Sequence, residues 1–122
     1  MFSIGTDIVE VDRIKFLIER YGSKFLNRIF SQNEIKYCKK LRYPEIHYAG
    51  RFSAKEAVIK ALPRGIKQKT LSYSDISISN DKSGKPFVSC GKINSERIDL
   101  SISHTKQHAV ASAVYFKDDK SS

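Results

Sequence analysis

A chain of 122 residues with 40% hydrophobic content suffices for one core and not for two, which excludes a two-domain arrangement and points to one site, or to sites shared between copies. Its 22 Lys and Arg against 13 Asp and Glu leave a formal net charge of +9, so the expected partner is an anion: nucleic acid, anionic lipid, a phosphorylated small molecule or an acidic protein. Asp7, Glu10 and Asp12 interrupt the opening segment where a signal peptide needs an apolar run, and no apolar stretch nears the ~20 residues of a membrane-crossing helix.

Residues 1–9 alternate loosely and are rich in Ile and Val around Gly5, which predicts a strand whose backbone something approaches closely, with Asp7 at or near its end. Across 12–30, Ile14, Leu17, Ile18, Tyr21, Phe25, Leu26 and Ile29 recur at helical spacing, and Gly22 divides the pattern into two helices. Arg13, Arg20, Lys24 and Arg28 fall off that apolar stripe. Ser31 and Glu34 have the spacing of a capping box and predict a short helix that ends before Pro44.

The longest helical pattern covers 45–62 and is stopped by Pro63 and Gly65. Ala49, Gly50, Ser53, Ala54, Ala57, Val58 and Ala61 give it a face of small residues, while Arg51, Lys55, Glu56 and Lys60 are expected to face a ligand. Beyond Gly65 the period drops to two. Ile76 and Ile78, a turn at 81–84, then Phe87 and Val88 predict a hairpin, and Ile98, Leu100 and Ile102 and the run 109–116 predict two more strands. The expected fold class is α+β: a single small domain over 1–117, with a long helix packed on a mainly antiparallel sheet, followed by a polar tail at 118–122. Cys38 and Cys90 lack CxxC spacing and histidine neighbours, and read as reduced thiols of a cytoplasmic protein.

Three segments carry chemistry. Asp7 lies within the apolar strand GTDIV, where a carboxylate needs a cation or hydrogen-bond donors, although alone it reads more readily as a turn or cap residue. RFSAKEAVIK places Glu56 and Lys60 four apart, which alone could be an ordinary surface pair worth ~0.3 kcal/mol. LSISHT places His104 at the end of a strand, where alone it reads more readily as a hydrogen-bonded packing residue; His47 and His108 have no supporting pattern.

Together these segments resemble the holo-acyl-carrier-protein synthase family, the small bacterial phosphopantetheinyl transferases. GTDIVEVDRI is similar to that family's opening strand, AGRFSAKEAVIKAL to its lysine–glutamate helix, and GKPF and SISHT to its later signatures, over nearly the whole chain and in the right order. The resemblance implies magnesium held by Asp7 and Glu56, with Lys60 and His104 also in the catalytic group. It implies coenzyme A contacts from Arg51, Lys55, Lys60, His104 and Thr105, and Arg13 on the acyl carrier protein. It further implies a homotrimer with sites at subunit interfaces and a role in fatty acid biosynthesis. Pro63-Arg64 departs from the glycine-rich turn that such a helix is expected to have after it.

The chemistry suits these residue types. A serine hydroxyl attacks the pyrophosphate of coenzyme A and adenosine 3',5'-bisphosphate leaves, so charge builds on phosphate oxygens and positioned cations are the main need. Magnesium takes one or two carboxylates and keeps places for phosphate and water. The serine proton goes to His104, to a water on the metal or to a carboxylate. A basic surface at Arg13, Arg20, Lys24 and Arg28 suits an acidic carrier protein, and neither nucleic acid nor membrane is expected as a partner. Two other readings compete: a nucleic-acid-binding module built on six tyrosines, seven phenylalanines and the basic charge, which leaves Asp7 and Glu56 unexplained, and a subunit that binds an acidic protein without chemistry.

Overall fold

The computed structural model describes residues 1–63, 65, 71–94 and 97–117. Strand β1 (Phe2–Glu10) leads into helices α1 (Val11–Tyr21), α2 (Ser23–Ile29), α3 (Gln32–Lys39) and α4 (Pro44–Ala61). A single 3₁₀ turn at Tyr73–Asp75 then precedes β2 (Ser77–Asn80), β3 (Pro86–Ser89), β4 (Ile98–His104) and β5 (His108–Phe116). This is the expected α+β class, with the antiparallel strands divided between a three-stranded sheet of order β1-β5-β4 and a separate β2-β3 hairpin. Arg64 of the Pro63-Arg64 departure and the tail at 118–122 lie outside the described residues.

Local signals account for the boundaries. Gly22 adopts φ +55, a conformation that costs glycine little, and its amide bonds Ile18 O at 2.8 Å, which closes α1 and opens α2. Ser31 caps α3 as the spacing predicts: its side chain accepts from the Glu34 amide, and Glu34 Oε1 accepts from the Ser31 amide at 2.7 Å. Helix α4 starts one residue earlier than its apolar pattern, at Pro44, because a proline at the first helical position lacks only an amide that the helix would leave unpaired.

The small face of α4 lies on the sheet. Ala111 and Ala113 of β5 are buried in the same layer as Ala54, Ala57 and Ala61 of α4, and Ala109 in the layer of Ala49, so helix and sheet approach without large side chains between them. Gly5 marks the tightest point, since a Cβ there would lie 2.0 Å from Ala57 O and 2.7 Å from Ala61 N. On one side of α4 the core gathers Val58, Leu62, Ile76, Ile78, Val88, Leu100 and Tyr115; toward its N-terminal half, Tyr48 and Ala49 meet Val11, Ile14, Ile29, Phe30 and Cys38. At roughly 1.5–3 kcal/mol for each large aliphatic side chain fully withdrawn from water, these layers fix where α4 lies.

The other face of the sheet is open. Phe2, Ile4 and Ile8 of β1 and Phe116 of β5 are exposed, and Val110 and Val114 are half-buried between them. Among the described residues no helix is long and apolar enough to cross a membrane.

Candidate active site

Alternation along β1 turns Ser3, Gly5, Asp7 and Val9 toward α4 and leaves Ile4, Thr6 and Ile8 outward. Register sets Asp7 opposite Ala111 of β5, whose short side chain leaves the carboxylate room beside the helix. Two residues of α4 hold it. Ser53 Oγ lies 3.1 Å from the backbone oxygen of Asp7 and 3.4 Å from Oδ2, while Lys60 Nζ reaches Oδ1 at 3.3 Å and donates to Thr6 O at 3.1 Å. The Asp7 side chain keeps 16% exposure and that of Lys60 52%.

Glu56 lies one helical turn before Lys60 and shares with Asp7 a cleft of about 230 Å³, lined also by Ile8, Val9, Arg13, Phe52 and Tyr73. Tyr73 closes one side of it. Its hydroxyl donates to Glu56 Oε1, and its ring stacks on Phe52 with centroids 5.8 Å apart. That hydrogen bond, with burial and the charges of Glu56 and Asp7 adding to it, pushes the Tyr73 phenol up to about 12. The cleft therefore offers two carboxylates with cations at its rim. Among the described residues no group of three or more His, Cys, Asp or Glu gathers, and an all-oxygen pair is the donor set that suits a hard cation such as magnesium.

The helix does not present all four of its charged residues to this cleft. Lys55, expected on coenzyme A phosphates, has no solvent exposure; it pairs with Glu34 Oε1 at 2.7 Å and donates to Ile29 O and Tyr73 O, each at 2.9 Å, and to Ile76 O. Burial draws its ammonium below the ordinary lysine range and Glu34 draws it back up. Glu34 completes the arrangement by accepting from the Ile78 amide through Oε2 at 2.8 Å. Lys55 thus fastens α2, α3, the 3₁₀ turn and β2 to α4.

Arg51, expected on the coenzyme, is buried as well. Its Nη2 donates to Asn80 Oδ1 at 2.8 Å and its guanidinium lies over the Tyr37 ring. His104 and Thr105 stand apart from the carboxylates: β4 and β1 are opposite edges of the sheet with β5 between them. The His104 ring is exposed and lies 5.8 Å from that of His47, while Thr105 Oγ1 accepts from the amides of Gln107 and His108 in the turn to β5. Arg13 lines the cleft, and Arg20, Lys24 and Arg28 are exposed farther along α1 and α2.

Two residues that line the cleft, Phe52 and Tyr73, and one that bonds Asp7 from behind it, Ser53, had no role in the sequence pattern beyond packing. Ser72 and Asp75 do carry a signal for the turn that holds Tyr73, since their spacing is that of a capping box, and the Ser72 amide donates to Asp75 Oδ2 at 2.8 Å.

A sequence profile of the 4'-phosphopantetheinyl transferase superfamily matches residues 3–114. The chain is 46% identical over 117 residues to the holo-[acyl-carrier-protein] synthase of Protochlamydia amoebophila, covering 92% of this chain and 95% of that protein. The chain belongs to the holo-[acyl-carrier-protein] synthase family. Within this synthase family, the crystal structure from Bacillus anthracis in complex with CoA (3',5'-ADP) aligns with a TM-score of 0.78 at 40% identity, over 93% of this chain and 94% of that one. The synthase of Helicobacter pylori in complex with coenzyme A aligns with a TM-score of 0.75 at 32% identity, over 93% and 99%. Family membership decides for an enzyme over a binding module without chemistry.

Proposed function

We propose that this protein transfers 4'-phosphopantetheine from coenzyme A to a serine of an apo acyl carrier protein, with magnesium held by Asp7 and Glu56, as a cytoplasmic enzyme supporting fatty acid biosynthesis. The observation that carries the reading is the convergence of these two carboxylates, one from β1 and one from α4, on a single cleft. Relatives solved with coenzyme A or its nucleotide bound support the donor, and the names of the related synthases support the acceptor.

In the reaction the serine oxygen bonds to the phosphorus that bears pantetheine. The anhydride bond breaks, and adenosine 3',5'-bisphosphate leaves with the electron pair. Magnesium, when bound, supplies positive charge against the diphosphate oxygens and neutralises the two carboxylates. Ser53 holds the Asp7 carboxylate in place, while Lys60, on a flexible stem beside Asp7, offers a further cation to phosphate oxygens. His104, a water or a carboxylate receives the serine proton.

Arg13 joins this cleft to the outer side of α1, so an acidic carrier that docks on Arg13, Arg20, Lys24 and Arg28 brings its serine to the carboxylates. The open apolar face of the sheet, with Phe2, Ile4, Ile8 and Phe116 uncovered, supports a homotrimer. In that assembly a second copy can bring its His104 and Thr105 to a cleft whose own copies lie at the far sheet edge.

Incubation with coenzyme A, magnesium and an apo acyl carrier protein, followed by mass spectrometry, should show the carrier gaining one phosphopantetheine group. No gain, or an equal gain in the presence of a chelator, overturns the proposal.

A further inference from the structure

Tyr73 is held from three directions, and all three lead back to the segment 52–56 of α4. Its backbone oxygen accepts from Lys55 Nζ at 2.9 Å, its ring stacks on Phe52 with an interplanar angle of 29°, and its hydroxyl donates to Glu56 Oε1. The turn that carries it is fixed in its own right, because Asp75 Oδ2 accepts from the Ser72 amide and pairs with Lys92 at 2.9 Å. The phenol therefore reaches Glu56 from a turn anchored in the fold, outside α4.

A glutamate on a helix has three side-chain torsions, and an unrestrained carboxylate spreads over several rotamers. A hydrogen bond from an anchored donor to one oxygen removes most of that freedom and leaves the lone pairs of the other oxygen available. Groups that hold a metal-binding side chain in this way raise affinity by lowering the ordering cost of binding.

We infer that Tyr73 is a positioning residue for Glu56: its hydroxyl occupies Oε1 and leaves Oε2 to face the cleft and take the divalent cation. This rests on the reading of Glu56 as a cation ligand. The hydroxyl contributes to cation affinity and not to the bond-making step, and the ring alone, seated on Phe52, does not substitute for it.

Tyr73→Phe keeps the ring stack and the backbone bond to Lys55 and removes only the hydroxyl. Mn2+ binding, followed by electron paramagnetic resonance with coenzyme A present, should weaken about 10-fold. The magnesium concentration for half-maximal transfer should rise in parallel, with kcat at saturating magnesium and Tm close to those of the unaltered protein. Asp7→Asn and Glu56→Gln, measured alongside, separate the two readings. If they lose Mn2+ and Tyr73→Phe binds it as tightly as the unaltered protein, Tyr73 has no positioning role and the two-carboxylate site stands. If Glu56→Gln binds Mn2+ undiminished, Glu56 is not a ligand and the inference about Tyr73 falls with it.

Discussion

Lys55 and Lys60 stand on one helix and pair with carboxylates from elsewhere in the chain, yet their surroundings are opposite. Lys55 and Glu34 are sealed from water, and every neighbouring acceptor is protein: a carboxylate and three backbone oxygens for one ammonium. Lys60 and Asp7 meet at the rim of a cleft whose second carboxylate, Glu56, comes from a separate turn of the helix. A closed, fully bonded ion pair leaves no coordination place for a ligand and can only hold structure. An open pair keeps its partners exchangeable, as the cation site proposed at this cleft requires.

The contrast breaks first at the closed pair. Lys55→Met should cost roughly 3–5 kcal/mol, because Glu34 is left as an uncompensated buried charge; urea unfolding measures it, and a small loss would show the pair to be dispensable. At the open site, Glu56→Gln should slow transfer to the carrier at least about 100-fold with Tm kept, and a matching fall in Tm would give Glu56 the same holding role as Glu34. Lys60→Ala sharpens the comparison: activity should drop about 10-fold while stability changes by less than about 1 kcal/mol, since the Lys60 ammonium is half in water. A collapse of stability in this variant would erase the distinction.

The smallest effect lies outside both pairs, at His47. Burial, reinforced by His104 and Arg51, holds its imidazole below the ordinary value of 6.5. Between that depressed value and 6.5 the unfolded chain binds more protons than the folded one, so stability falls as pH is lowered through this window. Thermal unfolding from about pH 7.5 down to about pH 5.5 should show a slope that His47→Gln flattens.

The contrast between the lysines also marks how far residue patterns reach. Gly22, the Ser31 and Glu34 spacing, the small face of α4 and the period-two runs are local signals, and each produced the element it predicts. Tyr48, Arg51, Lys55, Val58 and Leu62 follow one another at intervals of three and four, so two cations interrupt a buried stripe. That pattern was readable, but its meaning was not, because the partners that make burial tolerable, Glu34 and Asn80, come from α3 and β2. Phe52, Glu56 and Lys60 form the neighbouring stripe, which faces the cleft or its rim. Asp7 was legible as a carboxylate out of place in an apolar strand, whereas Glu56 read alone as half of a surface pair and stood out only through the resemblance of its helix to the family's; Tyr73 was not legible, since its role depends on a turn with no periodicity of its own.

At Gly5 the two tightest obstructions to any side chain are main-chain atoms, the carbonyl of Ala57 and the amide nitrogen of Ala61, which every residue type carries, with Lys60 Cβ next at 2.9 Å. No substitution on the helix can therefore make room for a larger residue in the strand, as a trimmed side chain does in an ordinary core. The gap between the strand bearing Asp7 and the helix bearing Glu56 is thus a hard stop, proof against second-site suppression, and the spacing of the two acids is inherited from it.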